Sequence, residues 1–270
     1  MSASGVRLAA QVRHQGVLIA RDPGPMLGYA VMGVLLITVL RPLYGALDGA
    51  LAQTGGPSTP AGIDQAAAGM AVMFSLFALK VGAAHVLNER TWHTWDRLRA
   101  SPASFGEILV GKAVPIFGAV VAQQAILFGF SAAAYGLHPR AGWWALTLSV
   151  AAWSACVLLL GFGASTLARS PAQLSAAGDI FALLTTVVGG SLVPVALLPR
   201  WLRHLAPASP GYWALDLYRV ALTANPGQLW RPVLMLAVFA AIGAIFACVV
   251  AARQRARTRP RREAQACTGA

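Results

Sequence analysis

Residues 232–252 read PVLMLAVFAAIGAIFACVVAA, an apolar run without a single charge that decides the fold class. A helix needs roughly 20 apolar residues to cross the hydrocarbon core of a bilayer, and this run has that length. A strand of a membrane barrel would alternate between apolar and polar residues, whereas this run is apolar on every face. The run therefore predicts a membrane-spanning helix.

The rest of the 270-residue chain has the same character. Only 11% of its residues are charged and its mean hydropathy is +0.62, whereas a soluble domain carries about 25% charged residues. Five further stretches have the length and composition of spans, at 24–45, 66–87, 109–135, 143–167 and 174–198. We therefore expect an all-α integral membrane protein with six transmembrane helices in a single domain, 1–252, followed by a basic tail, 253–270, that is disordered.

The net charge of +12 indicates membrane topology rather than nucleic-acid binding. Six arginines follow the last span directly, and no part of the chain is left over for a nucleic-acid-binding fold. With six spans, 14 lysines and arginines fall on one side and six on the other. Because basic residues concentrate on the cytoplasmic side, we expect both termini in the cytoplasm of a bacterial cell and the chain in its cell membrane.

The first 22 residues form a candidate amphipathic helix that ends at Asp22-Pro23. Its two faces are apolar and basic, and they carry Leu8, Val12 and Ile19 and, on the other side, Arg7, His14 and Arg21. This pattern is typical of a helix lying in the membrane interface, and the alternative is an unstructured basic leader.

A charged interlude, NERTWHTWDRLRASP, occupies residues 88–102 between two apolar stretches. Asn88 suits a helix N-cap, Glu89 suits the first turn, and Pro102 ends the pattern. An apolar stripe follows along the predicted helix, formed by Trp92, Trp95 and Leu98. The pattern alone leaves two interpretations open for 88–104: a docking helix for a partner protein, or an ordinary interfacial loop helix.

No stretch of the chain supplies an energy source or a catalytic set. Residues 106–113, GEILVGKA, miss the phosphate-loop pattern G-x-x-x-x-G-K-[ST] because Ala113 replaces the hydroxyl residue. The sequence also lacks G-x-S-x-G, H-E-x-x-H and metal-ligand spacing. We expect no catalytic residue, metal or cofactor on this chain, so any ATP and Mg²⁺ would be held by a partner.

Two features near the span ends have a structural and a functional interpretation. Lys80 lies within a predicted span. In the structural interpretation, its long side chain reaches the lipid head groups or forms an ion pair within the protein; in the functional one, it lines a substrate path. Residues 199–222 are too polar to span, and two short helices fit them, so they form either a re-entrant hairpin or an interfacial loop. Within the second of these helices, Asp216 and Arg219 are spaced to pair.

Two motifs, in order, resemble the type 2 ABC exporter permeases. The first matches that family's E-R-x-x-G-T-x-x-R-L-x-x-x-P loop at Glu89-Arg90, Thr94, Arg97-Leu98 and Pro102, followed by Gly111-Lys112, with His93 in place of the glycine. The second runs through Gly189-Gly190, Pro194, Leu198-Pro199, Trp201-Leu202, Pro210 and Tyr212-Trp213-Ala214. The chain looks most like the half-size permeases of the daunorubicin-resistance type.

This resemblance implies a transport subunit rather than an enzyme. Two permease copies would form a pathway above two copies of a separate ABC ATPase, and the cargo would be a hydrophobic drug or antibiotic, with a lipid or lipid-linked glycan as the alternative. Apart from the resemblance, a membrane-embedded lipid-modifying enzyme is the competing function. The residues implied to couple to the ATPase are Glu89, Arg90, Trp92, Thr94, Trp95, Arg97, Leu98 and Pro102. The residues implied to form the outer gate are Gly189, Gly190, Pro194, Pro199, Trp201, Pro210, Tyr212 and Trp213.

Overall fold

The computed structural model describes residues 3–53, 62–91, 105–168, 170–223 and 226–268, and these form helices and connecting turns without a strand. The α-helices of this described part are α1 (Ala3–Arg21), α2 (Gly24–Gln53), α3 (Gly62–Thr91), α4 (Phe105–Tyr135), α5 (Trp143–Leu167), α6 (Pro171–Val188), α7 (Arg200–Leu205), α8 (Pro210–Leu222) and α9 (Trp230–Thr268). Short 3-10 turns occupy Val195–Leu197, Ala206–Ala208 and Pro226–Gln228.

Helix α3 is the centre of the bundle. It packs against α2, α4, α5, α6 and α8, and every residue from Gln65 to Leu76 is buried. This segment is rich in alanine and glycine, so neighbouring helices approach it closely on all sides. A helix that is apolar all round is expected to be buried, and here that burial is by protein.

Five helical segments are long and apolar enough to cross a membrane. They are Gly24–Leu47, Val110–Tyr135, Trp143–Leu167, Pro171–Val188 and Trp230–Val249, and they match five of the six predicted spans. The remaining predicted span, 66–87, lies on α3, where the apolar stretch found among the described residues is the shorter Gly62–Ala78. An all-helical fold with five candidate membrane spans is therefore confirmed for the described residues, and the sixth span stays a prediction.

The bundle has two distinct ends. At the α1 end, α1 lies on the first turns of α4, close to the end of α5 and to α9. At the hairpin end, residues 189–222 turn back over the start of α3, and the segment between α4 and α5 donates backbone hydrogen bonds to the end of α8. The predicted gate residues thus fall at the hairpin end, away from α1.

Three helices differ in length from the sequence-based expectation. Helix α2 continues through Arg41 and Pro42 to Gln53, and α6 ends at Val188 rather than near residue 198, because Gly190 adopts a φ of +80° that ends the helix. Helix α9 continues through the tail to Thr268, where we expected disorder. The tail is rich in arginine, alanine and glutamine, which are good helix formers, and it extends a helix that is already nucleated.

The N-terminal helix forms as predicted, but its environment differs. Its apolar face packs against the bundle: Ile19 joins a cluster with Ile116 and Phe162, and Gln15 is buried. Amphipathic periodicity identifies the face that avoids water but does not distinguish lipid from protein as its partner. Here the partner of that face is α4.

Candidate functional site

The hairpin unit, defined as residues 189–222, is held on α3 by polar contacts and close backbone packing. Gln65 Nε2 donates a hydrogen bond to the Gly190 carbonyl oxygen at 3.0 Å, and Tyr44 Oη donates to the Leu192 carbonyl oxygen at 2.7 Å. A Cβ atom at Gly69 would lie 2.2 Å from the Ser191 carbonyl oxygen, so only glycine fits there. The loop after α6 therefore rests directly on the backbone of the central helix.

A second contact joins the end of α6 to the start of α8. Ser209 Oγ donates to the Thr185 carbonyl oxygen at 3.1 Å. A Cβ atom at Gly189 would lie 2.8 Å from the Gly211 carbonyl carbon, and one at Gly211 would lie 2.8 Å from the Thr185 carbonyl oxygen. The two helices consequently meet backbone to backbone, which fixes where α8 enters the bundle.

Arg219 links α8 to α3 inside the hairpin unit. Its Nη2 atom donates to Gln65 Oε1 at 2.8 Å, and Gln65 in turn donates to Gly190. Asp216 lies close enough to Arg219 for the two side chains to interact electrostatically. Burial raises the pKa of the Asp216 carboxyl, and the positive charge of Arg219 partly offsets that rise. The spacing of these two residues predicted that they pair with each other, and the hydrogen bond that the structure shows for Arg219 goes instead to Gln65, which connects it to the loop.

The predicted gate residues do not share one environment. Gly189, Gly190, Pro194 and Pro210 are buried, Tyr212 and Trp213 are half-buried, and Pro199 and Trp201 are exposed. Trp213 Nε1 donates to the Pro207 carbonyl oxygen at 2.8 Å, which closes the turn between α7 and α8. Trp201 is 66% exposed. The structure thus joins six of these residues into one packed unit and leaves Pro199 and Trp201 on its surface.

A buried polar layer crosses the bundle interior below the hairpin unit. Tyr218 Oη donates to Gln124 Oε1, and Gln124 Nε2 donates to Ser154 Oγ at 2.8 Å, so α8, α4 and α5 are connected. Trp153 Nε1 donates to Ser75 Oγ at 2.6 Å and connects α5 to α3. The sequence reasoning considered only ionisable groups within spans, and it missed this layer because its members are neutral.

We expect Tyr218→Phe to lower the free energy of unfolding by about 1–3 kcal/mol, because it leaves the buried Gln124 carbonyl without its donor. The measurement is thermal unfolding of the purified chain in one detergent. Tyr135→Phe is the matched control, since its hydroxyl donates to Thr38 at an exposed position. Equal losses in both variants would contradict a special role for the buried layer.

At the α1 end, the described residues include only part of the predicted coupling segment. Glu89 and Arg90 lie on the last turn of α3. The other predicted coupling residues, Trp92, Thr94, Trp95, Arg97, Leu98 and Pro102, lie outside the described residues. Lys80 lies on α3, and its side chain is also outside the described part, so its predicted role is untested.

Among the described residues, no group of three histidine, cysteine, aspartate or glutamate side chains is placed to hold a metal ion. Lys112, the lysine of the incomplete phosphate-loop pattern, is 7% exposed beside Gly111. It lies on α4, which has the length and composition of a membrane span and packs against α1.

The comparisons with known proteins decide the family. The family model described as ABC-2 type transporter matches residues 9–223, which is well over half of the chain. The chain belongs to the ABC-2 type transporter family. In this ABC-2 chain, the matched region includes α1 from residue 9 onward, the interlude at 88–104 and the hairpin unit.

Two curated relatives of this ABC-2 chain are resistance or multidrug permeases. The Linearmycin resistance permease protein LnrN of Bacillus subtilis (strain 168) is 26% identical over 154 residues, covering 56% of this chain and 39% of the relative. The Probable multidrug ABC transporter permease YbhR of Escherichia coli (strain K12) is 30% identical over 146 residues, covering 52% of this chain and 38% of the relative. The chain thus matches less than half the length of each relative, and it is identified as a membrane permease at the level of its family.

Proposed function

We propose that this chain is the membrane-spanning subunit of an ATP-driven exporter that moves a hydrophobic or amphipathic drug or antibiotic out of the cell. The family match carries this proposal, because it covers residues 9–223, which include both predicted functional segments. The resistance and multidrug names of the two relatives support an apolar toxic compound as the cargo. Five apolar spans with a buried central helix provide the membrane scaffold that such a role needs.

The energy source is a separate ABC ATPase, which binds at the α1 end. Residues 88–91 of the interlude form the last turn of α3, and the chain resumes at Phe105 with α4, the helix on which α1 packs. Two copies of the permease form the pathway, both termini face the bacterial cytoplasm, and the hairpin unit forms the outer gate. The excess of basic residues on the side of the termini supports this orientation.

The test is reconstitution of this chain, alone and with its ATPase subunit, into lipid vesicles that contain a fluorescent amphipathic drug. We expect the chain alone to hydrolyse no ATP and the complex to move the drug only when ATP is present. Movement of labelled lipid in place of drug would favour the alternative cargo. ATP hydrolysis by the purified chain alone would contradict the proposal.

We expect Glu89→Ala and Trp95→Ala to reduce drug transport per ATP hydrolysed about tenfold without loss of membrane insertion. Both residues belong to the segment expected to contact the ATPase, so their removal should separate hydrolysis from transport. Trp144→Ala is the matched control, because Trp144 is an exposed tryptophan at the opposite end of the bundle. Full transport by both coupling variants would count against the assigned role of this segment.

A further inference from the structure

A cavity of about 350 Å³ lies between α5, α6 and α9, in the half of the bundle nearer α1. The described residues that line it are apolar or glycine, apart from Gln173. All three helices have the length and composition of membrane spans, so the cavity lies at the depth of the lipid chains. The described lining residues include none from α3 or from the hairpin unit, so the cavity is separate from the centre of the bundle.

The floor of the cavity is the crossing of α5 and α9. A Cβ atom at Gly163 would lie 3.0 Å from the Gly243 carbonyl oxygen, and one at Gly243 would lie 2.7 Å from the Leu159 carbonyl oxygen. The two helices therefore already touch through their backbones. Because they cannot come closer, they cannot shift to fill the space beside them.

Helix α6 stands over this crossing and is held at two points. Near its start, Leu174 packs on Ala164 and Ala168 of α5. Near its other end, the Thr185 carbonyl oxygen accepts the hydrogen bond from Ser209 Oγ. Held at both ends, α6 cannot collapse onto α5 and α9, and the cavity between them persists.

Small residues and an exposed rim shape the cavity. Ala177 and Gly178 line it on the α6 side, and their small size leaves the space beside them unfilled. Three other lining residues, Phe181, Ile242 and Phe246, are 39%, 56% and 41% exposed, and all lie within spans. The mouth of the cavity therefore opens sideways, at the depth of the lipid chains.

Hydrocarbon is the occupant that this cavity favours. Water needs several polar partners, and an apolar cavity of only about 150 Å³ stays dry and binds hydrocarbons the size of benzene. The lining extends over residues 160–168 of α5 and 173–181 of α6, which is about 12 Å along each helix axis. Spanning helices and lipid chains both run across the leaflet, so a cavity of this length lies parallel to the lipid chains. Gln173, on the first turn of α6, marks its end at the head groups.

We propose that the cavity binds one alkyl chain of a membrane lipid from the leaflet nearer α1. The bound chain supplies the packing partners that α5, α6 and α9 do not supply to one another. It thereby fixes the first half of α6, the helix whose other end carries the hairpin unit. The proposal requires only that these helices span a membrane, so it does not depend on the cargo or the ATPase.

The test is photolabelling of the full chain in nanodiscs of phosphatidylethanolamine and phosphatidylglycerol that contain a phosphatidylglycerol with a diazirine in the middle of one chain. Mass spectrometry then locates the labelled residues. Ala177→Phe fills the cavity and should lower labelling of residues 160–168 and 173–181 about fivefold, because the ring occupies the space of the chain. Ala176→Phe is the matched control, since Ala176 is the exposed neighbour outside the described lining, and its labelling should match the natural chain.

Thermal unfolding in detergent gives a second measurement. Added phosphatidylglycerol should raise the unfolding midpoint of the natural chain and of Ala176→Phe, but not that of Ala177→Phe, whose cavity is already filled. If Ala177→Phe does not fold, Ala177→Leu replaces it. Equal labelling of the natural chain and the filled variant would overturn the proposal.

A second copy of the chain is the competing occupant of the cavity. It is tested with Gly178→Cys in a chain whose natural cysteines, Cys156, Cys248 and Cys267, are replaced by alanine. We expect mild oxidation in the same nanodiscs to leave this variant monomeric on a denaturing gel. Disulfide-linked dimers in most molecules would assign the cavity to the second copy and overturn the lipid site.

Discussion

Replacing Gly69 by valine is expected to prevent the hairpin unit from docking on α3 and to abolish accumulation of folded protein. A Cβ atom at position 69 would lie 2.2 Å from the Ser191 carbonyl oxygen and 3.1 Å from its carbonyl carbon. These are backbone atoms, so no side-chain rotation can relieve the overlap. Because the neighbouring residues on α3 are also buried, the helix cannot move aside, and overpacking of this kind costs about 3 kcal/mol or more.

The measurement for Gly69→Val is the yield and thermal unfolding midpoint of the detergent-solubilised chain. Gly69→Ala serves as a graded variant with a smaller loss. Gly129→Ala on α4 is the matched control, since nothing lies within 4 Å of its Cβ position and alanine is the better helix former. We expect this control to be neutral or slightly more stable than the natural chain. A valine variant with an unchanged midpoint would contradict the close contact between α3 and the loop.

Removing the charge of Arg219 is expected to give the second large effect. Arg219→Ala leaves Gln65 without its donor and leaves the partly buried Asp216 carboxylate without its neighbouring cation. Losing a hydrogen bond to a charged group costs about 1.5–3 kcal/mol, and loss of the positive charge near Asp216 adds to this cost. Asp216→Asn combined with Arg219→Gln should lose less, because no unpaired charge remains.

The Arg219→Ala effect should depend on pH. Burial raises the pKa of Asp216 in the folded state, and loss of the Arg219 charge raises it further. Since an acid whose pKa is raised by folding binds its proton more tightly in the folded state, ionisation of Asp216 opposes folding. The stability deficit of the variant should therefore shrink as the pH falls through that raised pKa. Arg200→Ala, exposed on α7, is the control and should show no such dependence. A deficit that is constant with pH would contradict the interaction of Arg219 with Asp216.

The spans were predictable because each depends only on a long local run of apolar residues. Residues 232–252 and 143–167 needed no information from elsewhere in the chain, and both are helical in the structure. The turn after α6 was also signalled locally, because Gly189-Gly190 and Pro194 disfavour a continuous helix. We expected these residues to weaken or bend the helix, whereas in the structure α6 ends at Val188.

The contacts between distant segments could not be read from local patterns. The apolar face of α1 was visible in the sequence, but its choice of α4 over the bilayer depends on the close fit at Gly111. Gln65 was missed because a single neutral amide at the start of an apolar helix carries no signal of its own. Its importance comes from Arg219 and Gly190, which are distant in sequence and reach it only in the folded chain.

The burial of every residue from Gln65 to Leu76 on α3 separates two roles that apolar side chains have in this chain. Lipid chains are fluid and can rearrange around a new side chain, so the exposed face of α2, with Leu27, Val31 and Leu35, constrains hydrophobicity but hardly constrains size. Packed helices cannot rearrange in this way, so positions such as Ala67 and Ala71 constrain size even where the replacement is equally apolar. Substitutions that keep the hydropathy but change the size of the side chain will therefore be tolerated on the exposed face of α2 and rejected at the buried positions of α3.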